Sequence, residues 1–232
     1  MKARRTAAPP SELGRLSARP AGAVAGVGPG LHALGVSPIR DALLYVPAEL
    51  RSDRPAPLAV MLHGAGGGAE AAIDLLRSGA DRAGVILLAP PSRAETWDVI
   101  MGGYGPDVEF VDRALAAAFS HCPVDSRRLA IGGFSDGASY ALSIGLTNGD
   151  LFSHVLAFSP GFCAPGQLVG TPSCFLSHGT GDPVLPIDRC SRVIVPRLHR
   201  AGRDVLYREF DGGHSVPPAV AAEALEWFTT PR

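Results

Sequence analysis

Lysine is almost missing from this chain: one residue, Lys2, stands against twenty arginines. A single lysine at the extreme N-terminus leaves none in the core for a Schiff base, a P-loop or a kinase-type phosphate clamp. The arginine bias itself reads as codon composition. An excess of charge is missing too. The formal net charge is −1, so no strong field invites nucleic acid or anionic lipid. Cysteine is sparse, with Cys122, Cys163, Cys174 and Cys190 spread through 232 residues, which argues against a disulfide framework. A Cys163–Cys174 bridge stays open for an exported protein. No C-x-x-C or Cys/His ligand spacing occurs, so neither a metal nor a cofactor is expected. No apolar run reaches the roughly 18 residues of a membrane span. Arg4-Arg5 hints at a twin-arginine signal, but Glu12, Arg15 and Arg19 interrupt the stretch after it, and Ala21–Gly30 is short and glycine-rich. A soluble, cytoplasmic protein is expected, with an exported form as the alternative.

What is present is a globular balance: 46% hydrophobic and 19% charged residues, enough for one sizeable core. The 28 glycines and 21 prolines make the chain loop-rich, short of a disordered composition. Residues 1–28 show no periodicity and read as a partly ordered tail; residues 29–232 read as one domain. Leu31–Leu34 and Ala42–Val46 form a candidate hairpin. From there apolar strands alternate with helical patterns. The strands are Leu58–Leu62, Val85–Ala89, Leu129–Gly132, Val155–Phe158, Ser173–Ser177 and Val205–Phe210. The helices are Ala69–Arg82, Asp107–His121 with Asp107 as candidate N-cap, Gly137–Leu146, Val193–Arg200 and Ala219–Phe228. Uniformly apolar strands alternating with helices predict an α/β protein of three layers around a mostly parallel central sheet. In such sheets, ligands and chemistry gather at the carboxyl ends of the strands.

The residues that carry chemistry fall on those ends. Gly133-Phe134-Ser135-Asp136-Gly137 is a G-x-S-x-G pattern. Glycine is abundant enough for it to arise by chance, but here a strand runs into it and a small-residue helix leaves it. Ser135 at such a turn needs small neighbours and lies where free helix N–H groups favour negative charge. A hydroxyl needs a base, and neutral imidazole suits neutral pH. His214 follows the last strand. His199 sits in a helical stretch as a solvated residue, and His178 reads as structural. Asp182, after strand Ser173–Ser177, is the candidate acid to orient the imidazole. Asp188 reads as a helix cap, and Asp211 as a shaper of the His214 loop. His63-Gly64-Ala65-Gly66-Gly67-Gly68 can aim backbone N–H groups at an oxyanion. Ala65 is the candidate first donor with Gly66 close behind, and Asp136 N–H is the second. The loop lacks the G-K-[ST] ending of a phosphate cradle and the G-x-G-x-x-G of a dinucleotide loop.

Together, His63–Gly68, Gly133–Gly137, His178–Pro186 and Gly212–His214 resemble the α/β-hydrolase superfamily. Within it they are most similar to the small phospholipase/carboxylesterase and dienelactone-hydrolase-like branch. The likeness covers about residues 30–230. It implies a serine carboxylesterase with Ser135 as nucleophile, His214 as base, Asp182 as acid, and Ala65 with Asp136 as oxyanion donors. Two positions depart from the branch: Asp136 stands where Gln is common, and Gly67 where Asp is often found. Both bear on the substrate more than on the reaction. Trp97, Tyr104 and Phe162, on the two spare loops, are expected to line a pocket for short to medium acyl esters. The alternatives are a serine peptidase on the same three residues and a non-catalytic binding protein retaining the fold.

Overall fold

The computed structural model describes residues 8–20, 22, 26–50 and 54–230. Lys2, Arg4, Arg5 and part of the expected tail lie outside these. Eight strands form one sheet: β1 (Gly30–Ala33), β2 (Leu43–Val46), β3 (Ala56–Leu62), β4 (Ile86–Ala89), β5 (Val124–Phe134), β6 (His154–Phe158), β7 (Ser173–Gly179) and β8 (Val205–Phe210). Their order is β1-β2-β4-β3-β5-β6-β7-β8. The expected hairpin is there, and β2 pairs antiparallel with β4 as well as with β1. From β4 onward every pairing is parallel.

The helices are α1 (Ala69–Asp74), α2 (Arg77–Ala83), α3 (Asp98–Met101), α4 (Pro106–His121), α5 (Asp136–Thr147), α6 (Ser191–Arg200) and α7 (Pro218–Thr229). Side chains that alternate along β3 show why two helical layers are needed. Leu58, Val60 and Leu62 join the core made with α4, α5 and α6. Ala59 and Met61 join the core made with α1, α2 and α7. A strand apolar on both faces is stable only when both are covered.

Several details differ from the sequence expectation. The single helix expected over Ala69–Arg82 breaks before α2, at Leu76 (φ −121°, ψ −5°). The second piece turns onto α7, where a Cβ on Gly79 would come within 2.6 Å of Leu225 Cδ1. Strand β5 starts earlier than expected, because its polar residues Asp125–Arg128 run out towards Val124, the partner of Ala56. Asp107 is not the N-cap of α4; that place falls to Gly105. Instead the Asp107 carboxylate is buried and accepts the backbone N–H groups of Arg93 (2.6 Å) and Asp98 (2.7 Å), tying down the 90–105 loop. Burial pushes Asp107 up despite those two bonds. Asp188 does not cap α6 either; it lies in a short 3-10 turn and pairs with Arg192 at 2.8 Å. The four cysteines are free thiols, so Cys163 and Cys174 are not bridged.

The N-terminal segment shows what aperiodicity concealed. Leu16 is buried, and its N–H donates to Asn148 Oδ1 at 2.8 Å. Asn148 Nδ2 returns a bond to Gly14 O at 2.8 Å. Arg15 forms a two-bond fork with Asp150, and Arg19 meets the same carboxylate at 2.7 Å. Among the described residues, no helix is long and apolar enough to cross a membrane.

Candidate active site

A tight turn joins β5 to α5. Ser135 sits there with φ 57° and ψ −120°, a strained conformation for a residue with a side chain. The turn requires its glycines. A Cβ on Gly137 would lie 2.2 Å from Leu62 O, and one on Gly133 would lie 2.6 Å from the same oxygen. Ser135 N–H donates to Phe158 O at 2.9 Å, fixing the turn against β6.

Two further loops converge on Ser135. The loop after β7 carries Asp182 and the loop after β8 carries His214. They are bound together by backbone bonds, Thr180 N–H to Phe210 O and Gly181 N–H to Gly212 O, both 2.9 Å. Gly179 permits this approach, since a Cβ there would be 2.3 Å from Gly213 O. Ser135 Oγ is 2.9 Å from His214 Nε2, and His214 Nδ1 is 2.6 Å from Asp182 Oδ2. A carboxylate only accepts, so Nδ1 carries the proton and Nε2 presents a lone pair to the hydroxyl. Burial pushes the Asp182 carboxyl up. The N–H of Leu185, the His214 ring and the N–H of Val184 outweigh it, and the group is held below its usual range. Its Oδ1 takes those two backbone bonds at 2.8 and 2.9 Å. The Phe134 ring lies 4.6 Å from that of His214 and backs it.

On the other side is the glycine loop after β3. Gly64 is so close to Ser135 that a Cβ on it would be 3.3 Å from the Ser135 Cβ. Gly66 N–H is committed to Glu95 O at 2.9 Å and Gly67 N–H to Gly64 O at 3.0 Å. Ala65 N–H has no backbone acceptor among the described residues. Asp136 N–H, the first of α5, has no intrahelical acceptor. Of the two candidate first donors, Ala65 is therefore the one left available. The Asp136 carboxylate accepts from Thr96 Oγ1 at 2.6 Å.

Trp97 lines no pocket: it is 0% exposed, and its Nε1–H donates to His63 O at 3.0 Å. The large ring is consumed in packing behind the glycine loop, stacked on Tyr140. His63, also buried, holds the same loop. Its Nδ1–H donates to Gly64 O at 2.7 Å, and its Nε2 accepts from Ser92 N–H at 3.0 Å. Burial lowers its pKa, consistent with a neutral ring. Tyr104 packs against Tyr140 and donates to Ala164 O at 2.7 Å. Phe162 does face a cavity of about 420 Å³, between loop 161–168 and α6, but Ser135 and His214 are not among its walls. The spare loop 160–172 is pinned by a ladder that sequence reading missed. Ser139, Ser143 and Thr147 recur every four residues along α5, and their hydroxyls accept N–H groups of Gly161, Ala164 and Gly166. The i, i+4 spacing of three hydroxyls was the available signal. His199 is exposed, as expected, and His178 is fully buried.

Comparison with known proteins agrees with this architecture. A family model described as phospholipase/carboxylesterase matches residues 108–230, more than half of the chain. The chain belongs to that family. It is accordingly a hydrolase of the esterase type, with the α/β-hydrolase fold. No curated protein matches the sequence. Among solved structures, esterase PE8 is 23% identical with a TM-score of 0.65, covering 79% of this chain and 95% of its own. TT1662 from Thermus thermophilus is 22% identical with a TM-score of 0.60, covering 86% and 96%. An S-formylglutathione hydrolase from Agrobacterium tumefaciens is 18% identical with a TM-score of 0.63, covering 86% and 93%. At these identities the likeness is one of fold.

Proposed function

We propose that the protein is a serine carboxylesterase that cleaves short to medium acyl esters through an acyl-enzyme on Ser135. The observation that carries this reading is the pair of bonds linking Ser135 Oγ, His214 and Asp182, at 2.9 and 2.6 Å. His214 Nε2 takes the hydroxyl proton as Oγ bonds to the ester carbonyl carbon. The carbonyl electrons move to oxygen, where Ala65 N–H and Asp136 N–H meet the charge; one such donor is worth about 2.7–4 kcal/mol of barrier. Collapse expels the alcohol, which takes the proton back from His214. Water then repeats the sequence on the acyl-serine and releases the acid. Asp182, held anionic, keeps Nδ1–H pointed at itself and stabilises the imidazolium.

The preference for modest esters rests on the loops. Both long excursions above the strand ends are bonded back onto the domain, through Asp107 and through the hydroxyl ladder. A small ester then needs no loop opening to reach Ser135. The test is a burst of alcohol from an activated short-chain ester and labelling by a fluorophosphonate. Ser135→Ala is expected to lose both, by at least about 10⁴-fold in turnover. Normal turnover in Ser135→Ala would falsify the reading. Faster cleavage of peptide amides than of esters would move the protein to the peptidases.

A further inference from the structure

His178 is buried, yet it is not a generic core histidine. It ends β7 beside the Asp182 loop, and all its polar contacts are specific. Nδ1 is 2.6 Å from Ser191 Oγ, Nε2 is 2.8 Å from Leu185 O, and Nε2 is 3.3 Å from Asp182 Oδ2. A carbonyl oxygen only accepts, so the proton is on Nε2 and Nδ1 accepts from the Ser191 hydroxyl. The single Nε2–H bonds to Leu185 O and lies 3.3 Å from the carboxylate oxygen that receives His214 Nδ1–H at 2.6 Å. Leu185 N–H, in turn, donates to the other oxygen of Asp182 at 2.8 Å.

We infer that His178 is a positioning residue for Asp182: through Nε2–H it holds Leu185 O, and with it the residue whose N–H grips one carboxylate oxygen, while lying against the other oxygen, the one used by His214. The inference rests on the serine-esterase reading and deepens it. Burial lowers the pKa of His178, which favours the neutral ring. The ionisable groups around it are Asp182 and His214 on the loops, Cys190 next to Ser191, and Tyr207 and Glu209 on β8. Glu209 is taken up by Arg192 at 2.6 Å. This leaves Asp182 as the acid that His178 serves.

The consequence has a direction. A neutral N–H beside Oδ2 withdraws some of the charge that Asp182 offers to His214. Without it the carboxylate binds the imidazolium more strongly but is less firmly aimed. In His178→Leu, kcat for an activated acetate ester is expected to fall roughly tenfold, less than the ~100-fold that a 1 Å misplacement of a catalytic group can cost. KM should stay within about twofold, and the acid limb of kcat/KM should move to higher pH. His178→Gln, whose amide restores an N–H, should recover most of the rate and the original profile. Ser191→Ala, a smaller change that frees the ring tautomer, should shift the profile the same way and keeps the test usable if the leucine variant fails to fold. A merely structural histidine would lose active protein equally at every pH. Unchanged acid limbs in the folded variants, with wild-type Ser135 labelled by fluorophosphonate, would overturn the inference alone. A wild type that is not labelled at Ser135 would instead overturn the underlying reading together with it.

Discussion

Ser135 and Asp182 each bond directly to His214, whereas the candidate oxyanion donors Ala65 and Asp136 owe their placement to residues behind them. On the first side, two side-chain bonds of 2.9 and 2.6 Å define the geometry. On the second, the glycine loop is held by His63 and Trp97, by Gly66 N–H on Glu95 O, and by Arg40, whose guanidinium reaches Ser92 O at 3.0 Å. Side chains that react must be few, of fixed type and near one another. Backbone donors have no side-chain identity, so their precision has to come from distant packing. The first kind of construction leaves a pattern in the sequence; the second leaves almost none.

This contrast can be tested by breaking each side. The largest effect after loss of the serine itself is expected for Asp182→Asn. Fluorophosphonate reactivity and kcat should both fall by about 10³–10⁴-fold, with folding retained, because the neutral amide favours the wrong imidazole tautomer. A loss under tenfold would mean that the direct contacts matter less than the comparison holds. Next is Trp97→Phe, which keeps the stacking on Tyr140 but leaves His63 O without its donor. Stability should drop by about 1–2 kcal/mol in urea unfolding, and kcat should fall several-fold while KM changes little. Full activity in that variant would show that the glycine loop needs no support from behind. The smallest effect is expected far from both sides, at Asp150. Hydrogen bonding from Arg15, more than burial opposes it, lowers this carboxyl from the usual 3.8 to about 2. A depressed carboxyl stabilises the fold above its unfolded pKa, and the contribution fades as pH falls through the folded one. Asp150→Asn should therefore lower the unfolding free energy measured in urea at pH 7, by about 1 kcal/mol or less for such a solvent-exposed pair. The gap should close between about pH 4 and pH 2, and kcat at neutral pH should equal that of the unsubstituted protein.

Much of the candidate site was legible because its constraints are local. Gly133 and Gly137 leave no room for a Cβ beside Leu62 O, so the turn must be written with glycine. The central strands β3, β4, β6 and β7 announced themselves as apolar runs because both faces are covered. Other features escaped for physical reasons. Trp97 looks like pocket lining in sequence, since an aromatic on a loop carries no mark of where its ring turns. Leu16 and its neighbours are held by Asn148, Asp112 and Asp150, partners roughly a hundred residues or more away that no local period reveals. His178 read as structural because its role depends on a carboxylate oxygen shared in space with His214.

The most direct test of the central claim is to mix the enzyme with an activated short-chain ester, quench within the first turnover, and locate the acyl group by peptide mass spectrometry. One acyl mass is expected on the peptide containing Ser135, absent from Ser135→Ala and from His214→Ala. Rapid ester turnover with no acyl group on Ser135, or an acyl group on another residue, would contradict it.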